Sequence, residues 1–464
     1  MSSLWWIRRD LRLADNAPLQ AALETGSVVP VFILDPRLLS RPAARRQDFL
    51  FEGLHALDKD LRLRGSYLVI RKGDPLEELR KLLDETKSQS IFAEEDFTPY
   101  ARWRDSLIAE ILPLQLFSGQ TAHHPRQVLK PDGKAYTVYT PYSRTWKARL
   151  TGIDLLPVPH RLNTPAGIRS EPLPAHKPNP YFPAGEQEAA VRLEEFTYKR
   201  IHSYDDDRNR LDLDGTSALS PYLRFGMLGL RQAVSSAIQA GGLPSHATRS
   251  ASITAHSGPG AWLNELIWRE FYIQILYHFP HVSRWAFNPS LANVPWRNNP
   301  SEFEAWKAGE TGVPVVDAAM RQLKVTGWMH NRARMIAASY LVKDLLIDWQ
   351  WGERWFMQNL IDGDPASNNG GWQWTAGTGT DAAPYFRIFN PVIQSRKFDP
   401  QGNYIRAWVP EVAGLLDTDI HAPWERRLTI PGYPSRPLVD HAEATARLRL
   451  AYQISKAGYV EKQA

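Results

Sequence analysis

VVPVFILDPRLLSRPAARRQDFLFEGLHALDKDLRLRG, Val28 to Gly65, begins as an apolar run and continues from Arg45 in a segment of helical periodicity. A short run rich in Val, Ile and Phe reads as a strand, and the longer periodic segment behind it reads as a helix. The pattern repeats on both sides. SLWWI (Ser3–Ile7) precedes it, and SYLVI (Ser66–Ile70), SIFAEE (Ser90–Glu95) and LPLQLF (Leu112–Phe117) follow, each separated from the next by a longer stretch. Strands alternating with helices imply βαβ units and a parallel, Rossmann-like sheet.

Beyond the last of these strands the character of the chain changes. Residues 157–183 hold eight prolines in 27 positions, too many for a helix interior or a central strand. From about Glu186 onward the segments EAAVRLEEFTYKRI, AWLNELIWREFYIQILYHF, VVDAAMRQLKVTGW and HNRARMIAASYLVKDLLIDWQWGERWFMQNL are helical in period, and no strand-rich stretch returns. The expected organisation is an α/β domain at residues 1–127, a connector at 128–187 and a larger all-α domain at 188–464.

Composition narrows the chemistry. Fifty-five Lys and Arg against fifty Asp and Glu leave a net charge of +5, a basic excess that permits contact with nucleic acid. There is no cysteine, which excludes disulfides, thiolate metal sites and Cys nucleophiles. The N-terminus reaches Arg8 and Arg9 without a signal-peptide core, and no apolar run has the length of a membrane span. The chain reads as soluble and cytoplasmic.

One stretch of the helical part stands apart: LIDGDPASNNGGWQWTAGTGTDAAPYFRIFNP, Leu360 to Pro391, spends polar and flexible residues beside two tryptophans and has no hydrophobic periodicity. A calcium loop starting at Asp362 fails, because Ser367 stands where glycine is needed and Gln373 where a bidentate Glu is needed. GTGTDA (Gly377–Ala382) follows no strand, so it is not a dinucleotide fingerprint. Phosphate-loop, zinc-protease and serine-hydrolase motifs are absent from the sequence. What remains is a set of helical faces. Glu265, Trp268, Arg269 and Tyr272 fall on one face by spacing, as do Asn331, Arg334 and Met335 on another. A solvent-facing ion pair beside packed rings reads equally from the first. GTSALSPYL (Gly215–Leu223) places hydroxyls and free N–H groups ahead of a helix, suiting either a phosphate or an ordinary cap.

LNELIWREFY (Leu263–Tyr272), GWMHNRARM (Gly327–Met335), LIDGDPASNNGGWQW (Leu360–Trp374) and YFRIFNP (Tyr385–Pro391), in this order and spacing, resemble the DNA photolyase/cryptochrome family, within it the class I cyclobutane pyrimidine dimer photolyases. WWIRRDLRLADN (Trp5–Asn16) resembles the family's opening strand and turn. The resemblance spans essentially the whole chain.

It implies a helical domain holding FAD in a folded conformation, below an antenna domain with a second chromophore. Tyr204, Thr216, Ser217, Ala218, Leu219, Ser220, Trp262, Arg269, Arg334, Asp362, Gly363, Asp364 and Asn368 match flavin-contacting positions. Asp362 would pair with Arg334, and Asn368 would face the flavin N5. Trp268 and Trp374 would flank a dimer flipped out of UV-damaged DNA, a move that costs less for a poorly stacked lesion than for a normal pair. Glu265 would hydrogen-bond the dimer's polar edge, Asn331 and Met335 would complete the pocket wall, and Arg332, Arg387 and Lys397 would hold backbone phosphates. Glu265, Asn368 and Met335 match the catalytic set. Photoexcited reduced flavin would donate an electron, the cyclobutane would open, and the electron would return.

Trp372, Trp349 and Trp296 match an electron-transfer chain running from flavin to surface. For the antenna, the resemblance favours 8-hydroxy-5-deazaflavin with Asp35, Arg46 and Asp96 as contacts, with methenyltetrahydrofolate or FMN as alternatives. Tyr100 and Ala101 stand where folate binders tend to carry an Asn–Glu pair. A monomer without an obligate protein partner is implied. A cryptochrome-type photoreceptor and a (6-4) photolyase are the alternatives, the latter needing a histidine where this chain has Met335.

Overall fold

The computed structural model describes residues 2–150, 152–242, 257–382 and 387–461. Tyr385 and Phe386 of the YFRIFNP motif lie outside them. The chain divides into two compact units, one of Met1–Asp205, Thr216–His278 and Ile361–Gly363, the other of Asp206–Gly215, Phe279–Leu360 and Asp364–Ala464.

In the first unit the expected strands form as β1 (Ser2–Ile7), β2 (Ser27–Leu34), β3 (Val69–Lys72), β4 (Ile91–Glu94) and β5 (Leu114–Phe117). All pair in parallel, in the order β3-β2-β1-β4-β5. The crossovers carry α1 (Ala17–Glu24), α2 (Ala44–Arg62), α3 (Pro75–Thr86) and α4 (Pro99–Ala109). Parallel strands covered on both faces read as near-continuous apolar runs, which is why VVPVFIL was legible. Leu4, Val29, Val31, Ile33, Val69, Ile91 and Ala93 form the core on one face, each larger aliphatic contributing about 1.5–3 kcal/mol by leaving water.

The proline-rich stretch of the connector, residues 157–183, forms no helix or strand and is tied to the sheet. Its Asn163 carbonyl accepts from Val28 N–H, and its Glu171 N–H donates to the Ile70 carbonyl of the edge strand β3, both at 2.9 Å. Such cover occupies hydrogen-bonding groups that an edge strand would otherwise leave open.

The rest of the first unit that bears on function is helical: α5 (Tyr139–Ala148), α6 (Ser220–Phe225) and α7 (Gly258–His278). The second unit is built of helices among the described residues, including α8 (Asn331–Ser339), α9 (Trp349–Asn359), α10 (Pro365–Ala376) and α11 (Pro391–Phe398). α10 forms within the 360–391 stretch although that stretch has no hydrophobic periodicity. Asp364 caps it through Oδ1, which accepts from Ala366 N–H at 3.0 Å and Ser367 N–H at 3.1 Å, and Pro365 occupies its first turn, where a missing N–H costs nothing. No helix among the described residues is long and apolar enough to cross a membrane.

Candidate functional site

In the first unit, the chain enters α6 through Ala218, whose φ of +49° is left-handed, followed by Leu219 in the right-handed region. This alternation turns successive backbone N–H groups into one concavity suited to anionic oxygens. Thr216, Ser217 and Ser220 contribute hydroxyls to the same segment. Ser220 Oγ donates to Asp362 Oδ2 at 2.6 Å and Arg224 Nε to the Gly363 carbonyl at 2.8 Å, tying residues 361–363 to the turn. Arg269 reaches from α7 to the Leu223 carbonyl at 3.1 Å.

Tyr204 and Trp262 both pack on Phe196, with ring centroids 5.6 and 5.0 Å away. Gly258 opens α7 where a Cβ would lie 1.9 Å from the Ile201 carbonyl oxygen, so only glycine lets that helix approach the Tyr204 segment. Hydroxyls, N–H groups and a guanidinium supply donors and the buried Asp362 carboxylate an acceptor, a set that fits the diphosphate and polyol of FAD.

The spacing-derived face of α7 is its partly exposed one: Glu265, Trp268, Arg269 and Tyr272 are intermediate in exposure, while most of the helix is buried. Tyr139, the first residue of α5, lies flat on Trp268, with centroids 3.7 Å apart and planes 3° from parallel. Two positions on from Trp268, and about 200° around the helix, Glu270 is 1% exposed. It accepts from Trp146 Nε1 at 2.7 Å and Ala122 N–H at 2.6 Å. Burial nevertheless pushes its carboxyl up to about 7.

In the second unit, His330 caps α8, its Nδ1 accepting from Arg332 N–H at 3.1 Å. Burial, reinforced by Arg332 and Arg334, holds this imidazole down at about 4, so it stays a neutral acceptor. Asn331 Nδ2 and Met335 Sδ are 3.9 Å apart on the shared face. Arg332 points elsewhere, donating to Asn209 Oδ1 at 2.6 Å and lying 4.3 Å over the Phe398 ring. Lys397 Nζ lies 5.3 Å over the same ring, so one aromatic ring contacts both cations. Arg334 Nε donates to the Met329 carbonyl at 2.8 Å. The Arg387 backbone carbonyl accepts from buried Lys343 Nζ at 2.7 Å.

On α10, Asn368 Nδ2 donates to the Glu353 carbonyl at 3.1 Å, and Asn369 Nδ2 donates to Glu353 Oε1 at 3.0 Å. Burial pushes the Glu353 carboxyl up to about 7. Gln373 Nε2 reaches Asn369 Oδ1 at 3.1 Å and the Val282 carbonyl at 3.0 Å. Trp372 is 3% exposed and meets Phe356 and Trp306 edge-on at 4.9 and 6.2 Å. Trp374, about 200° further round, is half-buried, and among the described residues no ring stacks on it. Trp349 shares the core containing Trp372, and the more exposed Trp296 packs against that core and against Tyr452. Trp372 comes so close to α9 that a Cβ on Gly352 would lie 2.1 Å from its ring.

At the sheet, Asp35 and Asp96 follow the carboxyl ends of β2 and β4, around the point where strand order reverses between β1 and β4. Clefts of α/β sheets open there. Both have structural partners. Asp35 Oδ1 accepts from Arg37 N–H at 2.9 Å and Oδ2 from the Tyr100 hydroxyl; burial and Asp35 together push that phenol up to about 12. Asp96 pairs with Arg9 at 3.5 Å. Burial opposes its ionisation, but Arg9, the Thr98 N–H, Arg8 and Arg104 outweigh it and hold the carboxyl below its usual range. Arg46 sits near the start of α2, partly exposed.

Sequence reasoning missed Tyr139, Lys343, Gly352, Glu353 and Phe398. Only Phe398 carried a local signal, adjacent to Lys397. The others act through contacts distant in sequence.

Residues 3–165 match the family model for DNA photolyase, and residues 262–454 that for the FAD binding domain of DNA photolyase. A deoxyribodipyrimidine photo-lyase of Synechococcus is 39% identical, over 99% of this chain and 98% of that protein. A bacterial class III photolyase from Agrobacterium tumefaciens superposes with a TM-score of 0.89 at 34% identity, covering 98% of both chains. An archaeal photolyase from Sulfolobus tokodaii, solved with two FAD molecules, gives 0.82 at 31%, over 98% of this chain and all of that one. Full-length likeness at this level, joined to a turn and donor set suited to FAD, makes the chain a member of the DNA photolyase/cryptochrome family.

Proposed function

We propose that this chain repairs cyclobutane pyrimidine dimers in UV-damaged DNA, with work divided among one turn, two half-buried tryptophans and three basic side chains. Its deoxyribodipyrimidine photo-lyase activity rests on one observation above all, the near-full-length relationship to enzymes of that name. Bound FAD, reduced and excited by light, supplies the electron that opens the cyclobutane and takes it back.

The chain's own residues bind and orient. The 216–220 turn receives the diphosphate on its N–H groups and hydroxyls. Tyr204, Trp262, Arg269, Asp362 and Gly363 accompany it within the first unit; Arg334, Asp364 and Asn368, in the second, are the remaining flavin positions that the family resemblance implies. Trp268 and Trp374 each offer a ring to the lesion, Glu265 accepts from its polar edge, and Asn331 and Met335 line its pocket. Arg332, Arg387 and Lys397 neutralise phosphates. Trp372, Trp349 and Trp296 carry an electron inward, which the rise in exposure toward Trp296 supports. A thioether is neither acid nor base at neutral pH, so Met335 favours dimers over (6-4) products.

Residues 1–127 then serve as the antenna domain, 128–187 as the connector and 188–464 as the flavin- and DNA-binding domain. The second chromophore, 8-hydroxy-5-deazaflavin in this reading, sits by Asp35, Arg46 and Asp96 at the carboxyl edge of the sheet. The enzyme works as a cytoplasmic monomer. Illuminating flavin-reduced protein with a dimer-containing oligonucleotide tests the core of this: dimers should disappear only in the light. Dimers left intact would point to a photoreceptor instead.

A further inference from the structure

Trp268 is held by the stacked ring of Tyr139. Tyr139 lies with its ring centroid 3.7 Å from that of Trp268 and its plane 3° from parallel, closer and flatter than the offset or edge-on contacts that most aromatic pairs adopt. Both residues belong to the first unit. Tyr139 is itself fixed at three points. Its hydroxyl donates to the Asn264 carbonyl on α7 at 2.9 Å. Its ring meets buried Phe271 edge-on at 5.9 Å. Its backbone starts α5, whose Lys147 Nζ donates to Asn264 Oδ1 at 2.7 Å. Phe271 also meets Trp268 edge-on, at 5.5 Å, so Phe271, Tyr139 and Trp268 form one packed corner.

We propose that Tyr139 is a positioning residue for lesion recognition: it sets the plane of the Trp268 indole before DNA arrives, so that stacking on a flipped pyrimidine does not have to arrest a rotating ring. The inference rests on Trp268 being a lesion-stacking residue. A tryptophan free to turn about χ1 and χ2 loses that freedom on binding, at a cost that subtracts from affinity. A ring already stacked has lost it during folding. Tyr139 thereby acts on the discrimination between damaged and undamaged DNA without touching either.

The test compares dissociation constants for a dimer-containing and an undamaged oligonucleotide across Tyr139→Phe, Tyr139→Leu, Trp268→Leu and the double variant Tyr139→Leu/Trp268→Leu, all as flavin-loaded protein. Tyr139→Phe keeps the stacked ring and should bind both as the parent does. Tyr139→Leu should weaken dimer binding about 3- to 10-fold, the range expected for one aromatic pair, and leave undamaged DNA unchanged. In the double variant it should add nothing to the loss from Trp268→Leu. If Trp268→Leu weakens dimer binding but Tyr139→Leu does not, the positioning role is wrong and the reading of Trp268 stands. If Trp268→Leu itself spares discrimination, the reading of Trp268 falls. A loss in Tyr139→Phe equal to that in the leucine variant would assign the effect to the hydroxyl and overturn the stacking argument. Should Tyr139→Leu not fold, Tyr139→Met, unbranched and of similar reach, takes its place under the same expectations.

Discussion

Helices α7 and α10 solve one problem in two ways. Each carries a half-buried tryptophan and, two positions away on its far side, a group sunk in the interior: Trp268 with Glu270 on α7, Trp374 with Trp372 on α10. On α7 the inner group is a carboxylate, anchored by Trp146 and the Ala122 N–H, and the outer ring is braced by Tyr139. On α10 the inner group is an oxidisable ring, while the polar side chains Asn369 and Gln373 fix the helix. The first helix thus carries its titrating anchor itself, whereas the second presents amides, one of which holds the titrating Glu353 of α9. Inner positions of a site helix can carry either anchoring or electron transfer, and only the second requires a particular redox chemistry.

The comparison breaks most visibly at Trp372. Trp372→Phe should nearly abolish photoreduction of oxidised flavin, because phenylalanine keeps the packing but is far harder to oxidise. Repair by chemically pre-reduced protein should survive. Transient absorption and single-turnover repair read the two separately. If both fell together, Trp372 would be a packing residue like Glu270.

Trp374→Ala should give the reverse, sparing photoreduction and weakening dimer binding by roughly 1–3 kcal/mol, the value of one base–aromatic stack. Titration with damaged and undamaged oligonucleotides checks it. Equal losses on both DNAs would show that this ring recognises no lesion.

A third effect, on stability rather than on binding, concerns α7. The folded-state pKa of Glu270, about 7, lies above the ordinary glutamate value near 4.3. The native state therefore holds the proton more tightly, and the contribution of this group is full below about pH 4 and is lost as pH rises through 7. Glu270→Gln should flatten the fall in unfolding free energy between about pH 4 and 7, where each unit of pKa displacement is worth about 1.4 kcal/mol. Urea titrations at three pH values would show it. An unchanged slope would place the titration elsewhere, for instance at Glu353.

These two helices also mark how far the sequence could be read. The α/β part was legible because its strands are buried on both faces and their apolar runs are short and bounded. The partly exposed stripe of α7 was legible from spacing alone. α10 was not, since Asn369 and Gln373 turn inward to the Val282 carbonyl and remove the apolar period that announces a helix. The flavin and lesion residues emerged from motif resemblance rather than periodicity. Tyr139 escaped both, because nothing near it in sequence indicates the ring it covers.

Gly352 has a consequence for anyone engineering this protein. Replacing an interior helical glycine by alanine is a routine stabilising change, worth roughly 0.5–1 kcal/mol through the unfolded chain. Here the added methyl would meet the Trp372 ring and Leu341, and the strain of overpacking, about 1–3 kcal/mol, exceeds the gain. Thermostability campaigns that rank substitutions by helix propensity would choose this site and lose by it, and with Trp372 in the role proposed for it the first symptom would be a protein that folds yet takes up electrons poorly.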